Sequence, residues 1–480
     1  MTIGHRGRQG APPPEAGRAG ARASDVVICG AGIAGIATAH GLATLGVTNI
    51  TVVDELPPLT LTSDKSTEAY RNWWPGPDDA MVRLMNRSID LLEQWADRSD
   101  NRFLLNRRGY VYATANADTA ERFLADARLA ERQGAGDLRV HRGAPDTIAY
   151  QPSAHTGFRD HPTGADLFID QRGIREHFSF LAHDVVAVLH ARRCGWLSGQ
   201  QLGMYLLEEA RAAGVTVLSG RVDAVDVRGG RIAGVTVACA DGRSRRIATP
   251  VFINCAGPFA KRVSQLIDVA LPVFSEMHLK VAFEDTLGVI DRNTGLVILD
   301  DAQTLTWSAD EHAELASTDE LRWLTQPMPA GIHLRPEGYR DSQTVLMLWD
   351  YHSAHRYDAP VLPLPDDPLY PEVVMRGMTR LAPGMQQYLE RLPHTYVDGG
   401  YYTKTEENRP LIGPLAVDGA YVNAALSGYG LMAAPAAGEL LAAHITGSEL
   451  PSYAKSFRLD RYDDPAYRAM LATWGSTGQL

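Results

Sequence analysis

No stretch of this 480-residue chain approaches the eighteen or more apolar residues that a membrane-spanning helix requires, so a membrane span is not expected. Cysteine is scarce. Cys29, Cys194, Cys239 and Cys255 lie far apart without paired spacing, which argues against a disulfide framework or a cysteine-built metal centre and fits a reducing cytoplasm. No metal is expected. Blocks of positive charge are also missing: the formal net charge is −11 and no basic run offsets it, which argues against a nucleic-acid partner. What remains, with 45% hydrophobic and 21% charged residues, is the composition of an ordinary globular protein long enough for two or three domains.

Residues 1–23 are rich in Gly, Ala, Arg and Pro, with Pro12, Pro13 and Pro14 in a row, and are expected to be a disordered extension. Arg6 and Arg8 precede no apolar region of the secretory type. Order begins with the most informative segment of the chain, DVVICGAGIAG at residues 25–35. Val26 to Cys29 supply a buried-type strand, and residues 33–45 then follow helical apolar spacing. Between them Gly30 permits a sharp turn, Gly32 a close approach of backbone to a pyrophosphate, and Gly35 close packing of helix on strand. The N–H groups of the helix start, at Ile33 and Ala34, face the same ligand. A second strand at residues 49–53 ends at Asp54, placed to accept hydrogen bonds from the hydroxyls of an unphosphorylated ribose. Strand, helix, strand and acid in register predict a dinucleotide site.

Further along, residues 80–96 carry the apolar face of a helix and residues 108–113 a short strand. Residues 133–190 show few clean periods and are expected to form loops and short helices. A helix at 197–213 is capped by Ser198 and stopped at Gly214; strands are expected at 215–218, 221–228, 231–240 and 249–257. Runs at 296–299 and 344–349 suggest a mostly antiparallel sheet over 271–395. Near the C-terminus Ser427, Gly428 and Gly430 precede a helix of small residues from about Ala433, whose positive end suits charge developing on a ring oxygen.

Three separated blocks, DVVICGAGIAG with Asp54, FINCAGPFA at 252–260, and ENRPLIGP with ALSGYGLMAAPAAGELLA within 407–442, make the chain resemble the D-amino-acid oxidase superfamily of glutathione-reductase-type flavoproteins, which includes glycine oxidase and sarcosine oxidase. The resemblance implies a mixed α/β fold. A Rossmann-like FAD-binding domain is assembled from residues 24–100, 191–270 and 396–448, a mostly antiparallel substrate domain from 101–190 and 271–395, and 449–480 form a C-terminal extension. It implies FAD, with contacts at Gly30, Gly32, Ile33, Ala34, Gly35, Asp54, Glu55, Ser63, Ala256, Gly257, Arg409, Gly428, Tyr429, Gly430, Leu431 and Met432. The flavin is expected to be non-covalent, because Gly400 and the Glu68–Ala69 neighbourhood stand where relatives carry a cysteine or histidine anchor.

On the substrate side the resemblance places Arg71 where sarcosine-oxidase-like members bind a carboxylate, a task that suits a planar guanidinium. The second carboxylate ligand of those relatives, a lysine, is replaced by Met432. Tyr402 falls where a tyrosine or arginine lies over the flavin, and His278, in the strand MHLKVAF with Lys280, is a candidate acid, base or hydrogen-bond donor. Trp73 and Trp74 fit either a pocket wall or a core anchor, and Glu406 with Glu407 suggests a solvated turn. The expected activity is oxidation of a C–N bond in an amine or N-substituted amino acid, with a small-molecule donor as partner. Oxidation of a hydroxy acid or another C–H donor, or a flavin-bearing assembly or electron-transfer role, stays open, as do the electron acceptor and the oligomeric state.

Overall fold

The computed structural model describes residues 22–143, 149–154, 156–338, 342–352 and 355–474. The expected disorder of residues 1–23 falls outside these except at Arg22 and Ala23, which form a short strand parallel to Ser244–Ala248. Two large sheets organise the chain. The first has nine strands, with Val26–Cys29 at its heart, all four side chains buried, flanked in parallel by Ile50–Asp54 and Val251–Asn254. Burial on both faces explains why these strands read as continuous apolar runs. Thr216–Arg228 continues the sheet beside Ile50–Asp54 and then pairs antiparallel with Arg231–Cys239. On the other side, Ala420–Ala424 pairs parallel with Val251–Asn254, and Leu411–Pro414 closes that edge.

The helix Ile33–Thr44 rests against Gly430–Thr446, and their crossing depends on glycine. A β-carbon on Gly438 would lie 2.5 Å from the Ala37 carbonyl, and one on Gly41 2.9 Å from the Gly438 carbonyl oxygen. Small residues in the C-terminal helix thus let two backbones approach closely. That helix starts at Gly430, three residues earlier than its sequence suggests, after a single 3₁₀ turn at Ser427–Tyr429.

The second sheet has ten strands among the described residues and is mostly antiparallel. Phe274–Glu284 is its longest member and pairs with both Thr344–Leu348 and Thr395–Lys404. Thr395–Lys404 therefore lies in this sheet and not among the strands of the first, with which residues 396–448 were grouped by sequence; ten register pairs with Phe274–Glu284 hold it there. The irregular reading of residues 133–190 is also corrected, because Leu138–His141, Ala165–Phe168 and Ala187–Ala191 extend the sheet. Their polar content hid the period: Asp166 and His190 are buried, Asp166 receiving Arg139, His141 and Arg192. The helix Tyr370–Leu381 lays Val373, Val374 and Met378 on the core that also holds Val281, Met347 and Trp349.

Residues 449–474 fold onto the turn before Leu411–Pro414. Glu407, expected to be solvated, is buried, because Arg461, Tyr462 and Tyr467 all donate to its carboxylate, at 2.7, 2.8 and 2.9 Å respectively.

Candidate active site

At the carboxyl ends of the parallel strands, where open α/β sheets bind ligands, a cavity of about 470 Å³ is lined by the first glycine turn, the end of Ile50–Asp54 with the chain following it, residues 255–259 and residues 423–427. The glycines are mechanically required. A β-carbon on Gly30, whose φ is +113°, would meet the Cys255 carbonyl oxygen at 2.3 Å, and one on Gly35 would lie 1.9 Å from the Gly30 carbonyl oxygen. Gly32 faces Ser63, whose hydroxyl accepts from the Ile33 N–H at 3.0 Å. Asp54 accepts from the Ala31 N–H at 2.6 Å and the Leu56 N–H at 3.0 Å, which pins its carboxylate at the rim with acceptor capacity to spare.

The far end of the cavity is the turn at 425–430. Ala425 and Ser427 both hold left-handed backbone, φ 57° and 48°, a conformation rare for residues with a β-carbon and frequent at ligand sites. Among the described residues the buried Ser427 Oγ and Asn423 Oδ1 have no hydrogen-bond partner. Such groups call for a polar ligand. Glycine-cradled backbone N–H groups, the Asp54 carboxylate and two orphaned polar atoms, all lining one cavity, fit a dinucleotide such as FAD.

Ser427 and Gly430 line this cavity, whereas Gly428, Tyr429 and Met432 line a second, smaller one of about 60 Å³, so one turn serves as a wall to both. The strand Thr395–Lys404 does the same: Tyr401 faces the large cavity and Tyr402 the small one. Arg71, Tyr402 and His278, far apart in sequence, meet at the small cavity. Arg71 is buried on the strand Ala69–Arg71, its guanidinium 4.3 Å from the Trp74 ring centroid and its Nη1 donating to Tyr112 Oη at 2.8 Å. Burial pushes the Tyr112 phenol up to about 12, against the pull of Arg71, so this partner is a neutral acceptor. Trp74 therefore supports the arginine and also meets Tyr429 edge-on at 5.1 Å, and both Trp73 and Trp74 belong to the core.

His278 stacks on Tyr402 with ring centroids 3.9 Å apart. Its Nδ1 lies 3.2 Å from Asp350 Oδ1 and its Nε2 3.4 Å from Glu276 Oε2; Glu276 also accepts from Lys404 at 2.9 Å. Burial raises the Asp350 carboxyl, whereas Glu276 is held low because His278 and Lys404 together outweigh its burial. His333, on the same cavity wall, is lowered to about 4 by burial and is neutral at physiological pH. Lys280 lines neither cavity and donates to the Ser66 carbonyl.

Sequence reasoning missed Asp350, His333, Tyr110 and Glu276. Only Asp350 carried a visible signal, an acid closing the apolar run TVLMLW. Of the residues expected at the cofactor, Gly35, Arg409 and Leu431 line neither cavity. Gly35 acts behind the turn through its closeness to Gly30. Arg409 is buried, donates to Asp78 and lies 4.4 Å from the Trp474 ring centroid, so its side chain is drawn to the C-terminal segment. Leu431 points toward Gly199 in the core.

A family model for FAD dependent oxidoreductases matches residues 25–444, and the chain belongs to that family. It is an FAD-dependent oxidoreductase. No curated protein matches its sequence. Among solved structures it is similar to an L-proline dehydrogenase from P. horikoshii (TM-score 0.68, 20% identity, 92% of this chain and 98% of the other covered). Glycine oxidase from Geobacillus kaustophilus superposes with TM-score 0.68 at 14% identity, covering 92% and 99%. Iminodiacetate oxidase from Chelativorans sp. BNC1 gives 0.65 at 17%, covering 90% and 98%. At such identities the likeness establishes the fold.

Proposed function

We propose that this enzyme oxidises the C–N bond of a small carboxylate-bearing amine, an amino acid or N-substituted amino acid, bound in the small cavity. The observation that carries this reading is the convergence of Arg71, Tyr402 and His278 on a space walled by the turn that also closes the cofactor cavity. FAD, when bound, supplies the two-electron acceptor for the C–H bond beside nitrogen. The chain's own residues hold and orient. Backbone N–H groups at Gly32 and Ala34, with the Ser63 hydroxyl that the Ile33 N–H holds, are suited to the pyrophosphate, Asp54 to the adenosine ribose, and Ala256, Gly257 and Ser427 to Gly430 to the rest of the molecule. Arg71 suits a carboxylate through two parallel hydrogen bonds, and its aromatic surroundings keep the guanidinium fixed in one plane. Tyr402 and the apolar Met432 bound the space left for the reacting carbon. Three structural neighbours whose names specify proline, glycine and iminodiacetate agree with a small amine carrying a carboxylate.

The test is an anaerobic titration of the purified, flavin-loaded enzyme with amino acids, N-methyl amino acids, simple amines and hydroxy acids. Loss of visible flavin absorbance with the first two classes is the expected outcome. Bleaching by hydroxy acids alone would overturn the reading.

A further inference from the structure

We infer that Asp350 is the docking group for the substrate's amine, so that the small cavity recognises a zwitterion between Arg71 and Asp350; this rests on the C–N oxidation proposed above. Asp350 follows directly on the strand Thr344–Leu348 and Trp349, at the point where an apolar run gives out. Among the described residues lining the cavity it is the one carboxylate, and Arg71 is the one arginine or lysine. The neighbouring acid, Glu276, is absent from that lining and pairs with Lys404 at 2.9 Å, while His278 lies between the two acids and reaches both. A space of about 60 Å³ that offers one fixed cation and one anion matches the charge pattern of an α-amino acid. A hydroxy acid would leave the carboxylate facing a neutral hydroxyl.

Position also gives Asp350 a chemical use. An ammonium nitrogen has no lone pair with which to form a C=N bond, so a nitrogen docked at Asp350 must lose a proton before its C–N bond can be oxidised. Transfer to Asp350 breaks one N–H bond, forms one O–H bond and moves no electrons between carriers. His278, 3.2 Å away through Nδ1, is the next site for that proton. The titratable and charged groups around Asp350 are His278, Glu276, Lys404, His352, Tyr370 and Tyr402. Burial raises its carboxyl, the direction that favours accepting a proton.

The experiment compares flavin-loaded wild type and Asp350→Asn for equilibrium binding of matched probes, glycine against acetate and proline against cyclopentanecarboxylate, followed by perturbation of the flavin spectrum. In the variant the amino acids should bind about ten- to a hundredfold more weakly, the loss expected for a charge-assisted hydrogen bond, while the deaminated acids stay within about twofold. Equal losses in both classes, or no loss in either, would overturn the inference. Should the variant not fold, the wild type decides alone: amino acids no tighter than their deaminated partners also overturn it. Failure of every amine to bleach the wild-type flavin, with the binding difference intact, would instead strike the proposed reaction and leave amine docking standing.

Discussion

The two cavities share a wall but are built from different materials. The larger takes backbone at Gly30, Gly32 and Gly257 and the stretch 423–427, supplied by runs of neighbouring residues. The smaller is surfaced by side chains, Arg71, His278, His333, Asp350 and Tyr402, each brought in from a different segment of the chain. A ligand read by N–H groups requires only that the chain approach closely, a demand that glycine spacing meets locally. A ligand read by charge requires side chains at chosen points, which here come from the second sheet and, for Arg71, from the separate two-stranded pairing of Ala69–Arg71 with Cys194–Trp196. The first cavity is thus suited to a resident common to the family, and the second to whatever each member converts.

The comparison can be broken most severely at the first cavity. Gly35→Val forces a β-carbon to within 1.9 Å of the Gly30 carbonyl oxygen, and the conflict is with backbone that cannot swing away. The expected result is a protein purified without yellow colour and destabilised by about 3 kcal/mol, in the upper range for overpacking; retained flavin would show that the turn is not what holds it. At the second cavity, Arg71→Ala should raise KM for a carboxylate-bearing donor about ten- to a hundredfold while flavin content stays unchanged. An unchanged KM would remove Arg71 from the site, and lost flavin would show that the two cavities are not separable.

Acid probes a charged cluster outside both cavities. Burial alone would raise the Asp166 carboxyl, but hydrogen bonds from Arg139 and His141 and the charge of Arg192 hold it at about 2, below its unfolded value of about 3.9. A depressed carboxyl stabilises the fold above the unfolded value and loses that contribution as pH falls through the folded one. Thermal melting should therefore show about 2 kcal/mol disappearing between roughly pH 4 and pH 2 in the wild type, and this slope should be missing from Asp166→Asn. The smallest effect is expected at the exposed Lys261–Asp358 pair, which ties the helix Ala260–Gln265 to the loop carrying Leu362 at the rim of the large cavity. Lys261→Ala should cost less than about 1 kcal/mol and lose even that in high salt; a larger change in flavin affinity would show that this loop covers the first cavity.

Legibility in the sequence follows the same division. The glycine turn, Asp54, the strand at 251–254 and the turn at 427–430 could be read because each is a local pattern with one mechanical meaning. Arg71 and Tyr402 could be placed only through resemblance and His278 only as a lone strand histidine, and the small cavity gathers all three. His333 was not readable, and the acid closing TVLMLW at Asp350 marked only a strand end, since a lone acid or histidine there acquires meaning only from what faces it across the sheet. The three strands within 138–191 were hidden for a related reason: Asp166, His190 and His141 are buried polar residues satisfied by distant partners, which erases the alternation that marks a strand. Arg409, expected at the cofactor through resemblance, lines neither cavity, its side chain turning to Asp78 and Trp474.

The Glu407–Arg461 pairing sets a boundary that family likeness does not. The family match ends at residue 444, so the chain invites trimming soon after the last long helix. Doing so would strip Glu407 of Arg461, Tyr462 and Tyr467 together and leave a carboxylate stranded beneath the surface on the very turn that leads into Leu411–Pro414. Residues as far as Tyr467 are, in this sense, part of the oxidoreductase unit, and any transplanted or minimised version of the domain has to carry them.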